Sequence, residues 1–432
     1  LPVSPPQGFF YLDALFILPR FTNRKVNEER MRIRSYFLPL SDIYQAQEEL
    51  KRIGADPMGI EIMAPKFIHL PLKLIDLDLR AANILKQEIL SLGGEAAVSR
   101  AAFELKEGKS DVLLSGTLRQ YQLLIEKLSY QSFGLPRVGE KIASMIANLG
   151  EKDSLFRAKG REFTFGSRTV VMGAVNLTPD SFAGDGIHRD PRKAVDRALM
   201  MLDSGAEMID IGGESSRPGA ELVSVSEELS RVLPVITDLR KRTDALLSID
   251  TYKPEVAREA LAAGVDIVND VGGGYRGEEL LPLVREYEAG LIIMHMPNPP
   301  EKRHERPKYR HLIADIIYFF EDKLEEAKEA GVTPEQVIID PGIGFAKNVD
   351  DNYLIIKMLK AFRALGRPVL VGPSRKSFIG KVLDIPPEER LEGTAAAVAA
   401  VVINGGDIIR VHDPAVMREV STIVEKIKEA GK

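Results

Sequence analysis

From Thr169 onward the chain repeats one pattern: a short apolar, β-branched run, a loop rich in Gly, Pro, Asp and Ser, then a stretch with helical spacing of apolar positions. Eight rounds can be counted. The runs are 169–176 (TVVMGAVN), 207–212 (EMIDIG), 245–250 (ALLSID), 265–270 (VDIVND), 291–296 (LIIMHM), 336–341 (QVIIDP), 368–372 (PVLVG) and 407–411 (DIIRV). Strands that are apolar throughout and separated by helices suit a buried parallel sheet, in which neither face meets water. Pro254 and Glu255 open one of the helices, and Gly264 stands where its C-terminal cap falls. Eight strand–helix units within the 272 residues 161–432 predict an α/β fold, a (β/α)8 TIM barrel of about 250 residues. A doubly wound open sheet is the alternative. Polar motifs at the end of nearly every strand favour closure, which gathers all eight ends around one site.

Residues 1–160 read differently. Helical spacing runs over 41–54, 78–94 and 117–131, and short strands are expected at 59–65 (GIEIMAP), 96–101 (AAVSRA) and 111–116 (DVLLSG). This predicts a smaller α+β domain, to which the sequence assigns no function. The dense charge of 151–162 (EKDSLFRAKGRE) predicts a linker, so the domains divide at 160/161 and a chain starting near residue 161 is expected to fold by itself. The apolar stretch Phe9 to Leu18 is interrupted by Asp13 and is far short of the ~20 residues a membrane span needs. It reads as a strand, and a cytoplasmic protein without membrane contact is expected. Leu1 rather than Met opens the chain, so a preceding piece is expected to be missing.

Charge and composition narrow the chemistry. With 58 basic and 63 acidic residues the net charge is -5, which gives no general field for nucleic acid or an anionic membrane. The division is uneven: 22 basic against 19 acidic residues over 1–160, and 36 against 44 over 161–432. The absence of cysteine excludes disulfides, iron–sulfur clusters, thiolate zinc sites and a Cys nucleophile, and fits a reducing compartment. Catalysis is left to oxygen and nitrogen groups.

The strand ends supply those groups. Asn176 enters NLTPDSFAGDG, where Pro179, Asp180 and Ser181 suit a turn and Gly184 and Gly186 permit a lid. Asn176 can bind an oxygen or a metal, or serve turn chemistry alone. Ser216 and Arg217 lie in GGESSRPGA; an Arg before a Pro is kept out of helix and projects from the loop, toward a ligand or a surface carboxylate. Asp250, Asn269 and Asp270 end apolar strands, where polar groups are costly unless hydrogen-bonded, although Asp250 could instead cap the helix that follows. His295 in MHM reads as a satisfied core residue, and no zinc spacing accompanies it. Asp340 opens DPGIGF, whose Pro341, Gly342 and Gly344 let backbone approach something flat, with Phe345 as a wall. Ser374, Arg375, Lys376 and Ser377 stand at a helix start, where paired cations oppose the dipole and call for an anionic or electron-rich ligand. Arg410 and His412 alternate to one side and can hold phosphate oxygens. Together these residues point to a transferase or lyase acting on a phosphorylated small molecule.

At these motifs the chain closely resembles the dihydropteroate synthases of the folate pathway. NLTPDSF, GGESSRPGA, SIDTYKPEVA, NDV, MHM, DPGIGF, SRKSFIG, RLEGTAAAVAA and RVHD occur in family order over about residues 166–430. The resemblance implies a Mg2+-assisted, SN1-like condensation of 6-hydroxymethyl-7,8-dihydropterin pyrophosphate with p-aminobenzoate, giving 7,8-dihydropteroate and pyrophosphate. It implies that Asp250, Asn269, Asp340 and Lys376 hold the pterin, with Met294, Phe345 and Gly372 in its pocket. Asn176 would meet the metal, with Arg410 and His412 on the pyrophosphate. Phe182, Ser216, Arg217, Pro218, Ser374 and Lys376 would form the p-aminobenzoate side. Asp250, Lys376, Arg410 and His412 are the implied catalytic set, and a homodimer the implied assembly.

Two positions depart from the family pattern. Ser216 replaces the usual Thr, and PNPPEKRHERPKY follows MHM where a Gln-Gly pair is usual. A methyltetrahydrofolate:corrinoid methyltransferase shares the barrel and an Asp/Asn pterin pocket, but its chemistry needs neither Lys376 nor the Arg410 and His412 pair. A non-catalytic pterin-binding protein would be expected to lack a pocket residue, and none is missing.

Overall fold

In a computed structural model that describes residues 34–103, 108–151, 153–178, 190–215, 222–303 and 305–430, residues 41–432 form one compact unit. It begins with α1 (Ile43–Ile53), α2 (Pro57–Phe67), β1 (His69–Asp78), α3 (Leu79–Ser91), β2 (Glu95–Val98), α4 (Arg100–Phe103), β3 (Lys109–Thr117), α5 (Leu118–Leu128) and α6 (Leu135–Gly150). The three strands form an antiparallel sheet in the order β1-β3-β2. Leu85 and Ile89 of α3 and Tyr121, Leu124 and Leu128 of α5 pack on Leu72, Ala96, Val112 and Leu114 of the sheet. The 3-to-4 spacing on the helices and the alternation on β3 place these residues on facing sides. Asp78 accepts from the Arg80 and Ala81 amides at the start of α3, and Thr117 and Gln120 form a reciprocal cap on α5.

Two strand expectations are corrected here: AAVSRA is strand only to Val98, with helix from Arg100, and a second segment is helical throughout. GIEIMAP lies inside α2, because Asp56 caps the helix through the Met58 and Gly59 amides and Pro57 supplies a first helical position. The buried residues are Ile60 and Ala64, four apart, so the apparent two-residue alternation is incidental.

The expected linker is corrected too: residues 154–162 of it belong to a hairpin. Residues 151–162 lead into a hairpin of β4 (Ser154–Ala158) and β5 (Arg161–Phe165), paired antiparallel through a Lys159–Gly160 turn with φ of 49° and 71°. Positive φ at both central residues gives the turn the twist of the strands it joins. Leu155 and Arg157 point outward, alternating with Phe156 and Ala158 inward.

The barrel follows: β6 (Val170–Asn176), α7 (Pro191–Asp203), β7 (Met208–Gly212), α8 (Val225–Arg242), β8 (Leu246–Asp250), α9 (Pro254–Ala262), β9 (Ile267–Asp270), α10 (Gly277–Glu286), β10 (Gly290–Met294), α11 (Leu312–Glu329), β11 (Val337–Asp340), α12 (Val349–Lys357), α13 (Leu359–Arg363), β12 (Leu370–Val371), α14 (Ser377–Leu383), α15 (Leu391–Ile403), β13 (Ile408–Val411) and α16 (Pro414–Glu429). All eight expected strands are present and parallel, in the order β11-β10-β9-β8-β7-β6-β13-β12. A parallel bridge between Ile339 and Val369 closes the ring, backed by the Ile339 amide donating to the Pro368 carbonyl at 3.0 Å.

Alternation along each strand sorts side chains between the helical shell and the interior. Val171, Ile209, Leu247, Val268 and Leu291 face the helices. Met172, Met208, Leu246, Ile267, Ile292, Ile338, Leu370 and Ile408 fill the lower interior, together with Phe156 and Phe165 of the hairpin. Gly290 is a close approach: a side chain there would collide with the Phe156 ring. The hairpin is thus the barrel's floor, and the next interior layers, two and four residues further along the strands, hold Asn176, Asp210, Ser248, Asp250, Asn269, Asp340, Ser374, Arg410 and His412.

Candidate active site

Those upper layers bring together the residues singled out at the strand ends. Arg410 lies at their centre: its Nε donates to Asp210 Oδ2 at 2.6 Å and its Nη2 to Asp250 Oδ2 at 2.8 Å. Asn269 Nδ2 donates to the same Asp210 oxygen at 3.2 Å. Asp250 is therefore committed to the barrel interior and does not cap α9, whose N-cap position is Lys253. Asp210 was not anticipated from the sequence. A carboxylate two residues after inward-facing Met208 was the signal, since only an inward ligand or cation makes such a position tolerable. Asp210 Oδ1 and Ser248 Oγ are buried and have no hydrogen-bond partner among the described residues. They belong to residues paired across β7 and β8, in the same interior layer.

A second cluster lies across the mouth. His412 Nδ1 meets Ser374 Oγ at 2.9 Å and Nε2 meets Asn176 Nδ2 at 3.3 Å, linking the ends of β13, β12 and β6. Lys376 Nζ donates to the Ile343 carbonyl and lies 4.6 Å from the centre of the Phe345 ring. Asp340 accepts from the Gly342 amide at 2.7 Å. Gly342 has φ of 69°, and any side chain there would strike the His295 carbonyl, so glycine is required for this turn. Met294 is buried beside it, and Gly372 leaves open space along the Arg410 stem.

Lys347 is a further site residue missed in the sequence. Its ammonium contacts His295 Nδ1 and the Phe345 carbonyl, both at 3.0 Å. A lysine in a loop carries no positional signal until the loop is folded. Three carboxylates (Asp210, Asp250, Asp340) and three cations (Arg410, Lys376, Lys347) thus share the mouth. Burial pushes Asp250 upward against the pull of Arg410, and pushes Asp340 upward against Lys376. Burial also lowers Lys376 to about 8 and Lys347 to about 7, with Asp340 opposing both. Ionisable groups displaced in this way in a cleft mark a functional site.

Other expectations fall outside the mouth. Asp270 points the other way and accepts from the Gly272 and Gly274 amides at 2.9 and 2.7 Å, so it shapes its own loop. Arg375 is held by Asp413 through two 3.0 Å bonds, which corrects the expectation that both cations of SRKS face a ligand. Its φ of 56° turns its side chain away from that of Lys376. His295 is a core residue as expected, packed edge-on against Phe319, with burial holding its imidazole neutral. Phe182, Ser216, Arg217 and Pro218, and the turn and glycines after Asn176, lie outside the described residues.

A closed parallel barrel whose strand ends converge charged and amide groups on one mouth defines a TIM-barrel enzyme for a small polar ligand. Residues 172–412 match the family model for pterin binding enzymes. The dihydropteroate synthase of Synechocystis sp. is 45% identical over 266 residues, covering 61% of this chain and 92% of that one. A dihydropteroate synthase of Yersinia pestis, solved with a sulfonamide drug complex, superposes with a TM-score of 0.61 at 39% identity, covering 64% of this chain and all of that one. A probable bifunctional folylpolyglutamate synthase/dihydropteroate synthase of Halobacterium salinarum is 42% identical over 369 residues, which is 85% of this chain and 44% of that protein. This last match is longer than the barrel, so it takes in part of the N-terminal domain. The chain belongs to the pterin binding enzyme family, among its dihydropteroate synthases.

Proposed function

We propose that the chain condenses 6-hydroxymethyl-7,8-dihydropterin pyrophosphate with p-aminobenzoate, releasing 7,8-dihydropteroate and pyrophosphate. The observation that carries this reading is the polar interior layer, where Asp210 and Ser248 keep unpartnered buried oxygens beside Asn269 and Asp340. The pterin edge offers a 2-amino group and a ring N–H, paired donors that carboxylates accept. Asp340 and Asn269 would take that edge, Met294 and Phe345 would flank the ring, and Lys376 would donate from above Phe345. Gly372 keeps the space beside Arg410 open.

In the reaction the methylene C–O bond breaks, its electron pair leaves with pyrophosphate, and the aniline nitrogen attacks the methylene carbon and gives up a proton. Asp250 would stabilise the positive charge at that carbon. Arg410 Nη1, outside its two carboxylate bonds, and the His412 imidazole would meet the pyrophosphate, an electrostatic role that needs no covalent intermediate. Ser374, tied to His412, would stand between the pyrophosphate side and the p-aminobenzoate side formed with Phe182, Ser216, Arg217 and Pro218.

The residues present fit Mg2+. Gly212 carries no side chain where a Cβ would stand 3.6 Å from Asn176 Oδ1 and 3.5 Å from Asp250 Oδ2, so nothing of Gly212 covers these two hard oxygens, of which Asp250 Oδ2 also accepts from Arg410. No cluster of three or more His, Asp or Glu forms a protein cage among the described residues, and Mg2+ is commonly held by one or two protein oxygens plus water and substrate phosphates. Asn176 would be the principal protein ligand, and the ion when bound neutralises charge on the pyrophosphate oxygens.

Incubating the protein with both substrates and Mg2+ is expected to yield dihydropteroate and pyrophosphate in equal amounts; the appearance of neither would overturn the assignment. A homodimer belongs to the same reading. Ile423 and Ile427, one turn apart on α16, are 63% and 64% exposed, and Ile403 on α15 and Val382 and Leu383 on α14 are exposed as well. Apolar surface on three consecutive helices suits a two-fold interface. Light scattering should give a dimer for the parent and a monomer for the I423E/I427E variant. A cytoplasmic location suits a cysteine-free chain, and no helix among the described residues is long and apolar enough to cross a membrane.

A further inference from the structure

The loop after β11 folds back against the end of β10, and one lysine joins the two. The His295 amide donates to the Asp340 carbonyl at 2.7 Å, and the Gly342 amide donates to Asp340 Oδ1 at 2.7 Å. The chain turns onward to Phe345, whose amide donates to the Gly342 carbonyl at 3.2 Å. Ala346 follows, buried and with φ of 51°. A left-handed backbone at a residue other than glycine persists only where its surroundings enforce it. Two groups grip the backbone there: the Tyr309 hydroxyl donates to the Ala346 carbonyl at 3.4 Å, and the Lys347 ammonium returns to the Phe345 carbonyl at 3.0 Å. The same ammonium reaches His295 Nδ1 at 3.0 Å, and a side chain on Gly342 would come within 3.3 Å of it. An ammonium has donors only, so Nδ1 is the acceptor and the His295 ring proton sits on Nε2. His295 is a fixed point, buried and with its ring edge-on to Phe319 at 4.8 Å between centres. Lys347 therefore fastens the backbone of Phe345 to the core.

We infer that Lys347 is a positioning residue for the pterin, fixing the Phe345 wall and the turn after Asp340 from behind, an inference that rests on the function proposed above. The Phe345 ring in turn carries the Lys376 ammonium, 4.6 Å from its centre. Both hydrogen bonds of Lys347, to His295 and to Phe345, lie on the pterin side of the mouth, so its removal should be felt by one substrate. A methionine fills much of the same space but donates nothing, which removes both bonds. With them goes a cation that favours the ionised Asp340 carboxyl. An arginine keeps the charge and the donors, but presents them on a rigid planar fork in place of a compact ammonium.

Steady-state kinetics of K347M with each substrate varied in turn, together with a fluorescence titration with 6-hydroxymethylpterin, tests this. The expected result is a rise of about tenfold or more in the dissociation constant of the pterin and in the KM for its pyrophosphate, the effect of losing charge-assisted hydrogen bonds. The KM for p-aminobenzoate should stay within about twofold of the parent. K347R should recover part of the loss; arginine is bulkier than methionine, so recovery reads donors and charge, not packing. If K347M does not fold, K347R carries the test, with pterin binding expected to weaken by about threefold and the p-aminobenzoate KM to stay unaltered. Unchanged pterin binding, or an equal rise in KM for both substrates, would overturn the assignment. A parent protein that binds no pterin would instead remove the functional reading. The role of Lys347 is then read by amide exchange at Gly342 and Phe345, which K347M should accelerate and which, if unaltered, would show that Lys347 holds nothing.

Discussion

Replacing Lys376 by alanine is expected to lower kcat/KM by about 10²- to 10³-fold, the usual cost of removing one preorganised charged donor from a site, while circular dichroism shows the fold intact. Lys376 is fixed from three sides. Its ammonium donates to the Ile343 carbonyl, rests on the Phe345 face, and is drawn by Asp340 and Asp250 while Arg410 repels it. Ile343 is a core residue, but the bond is to its carbonyl, so alanine removes charge from the mouth and little packing from the barrel. Asp340 keeps Lys347 as a neighbouring cation. Unchanged turnover would take Lys376 out of the site.

The same residue sets a pH dependence. Burial lowers its ammonium to about 8, so it is charged below that value and loses its proton as pH rises through it. If the charged form is the working one, kcat/KM falls above about pH 8. A K376R variant keeps its charge throughout, and whatever activity it retains should lack that alkaline limb. Lys347, lowered to about 7, is the competing candidate; a limb that survives in K376R and disappears in K347R would assign it there.

How much of this was legible follows from what each residue had to satisfy. The eight strands could be read because a buried parallel strand has no polar face to interrupt it. Asp250, Asn269, Asp340, Arg410 and His412 could be read because strand ends of a barrel converge whatever the loops do. Asp210 escaped because it lies within the run EMIDIG and looks like part of a strand; only inward parity with Met208 separates it from the shell. Lys347 escaped for a different reason: it acts across a loop, and loop sequence does not encode which neighbour a long side chain will find. The α2 segment was misread because four alternating residues weigh little against an Asp-Pro helix start. The dense charge of residues 151–162 suggests a linker, although Phe156 and Ala158 alternate with Leu155 and Arg157 at a strand's period.

That stretch carries the second large expected effect. Phe156 is fully buried, its ring centre 5.6 Å from that of Phe165, and it fills the space that Gly290 leaves beneath the barrel. Phe156→Ala should destabilise the protein by about 3–5 kcal/mol, the range for deleting a buried phenyl ring, with the polar groups at the opposite end of the strands unaltered below the melting transition. The chain boundary follows from the same contact. A chain starting at residue 161 keeps β5 but discards β4, leaving an unpaired strand edge and an open apolar floor lined by Met172, Met208 and Ile292. A chain starting at 151 keeps the hairpin whole. We therefore place the division between the domains before Ser154, not at 160. The 151–432 protein should be soluble and unfold cooperatively, whereas the 161–432 protein should aggregate or melt at least about 5 °C lower, the shift that the loss of Phe156 alone implies. Equal melting temperatures for the two chains would show that the barrel closes its own floor and that the hairpin is dispensable.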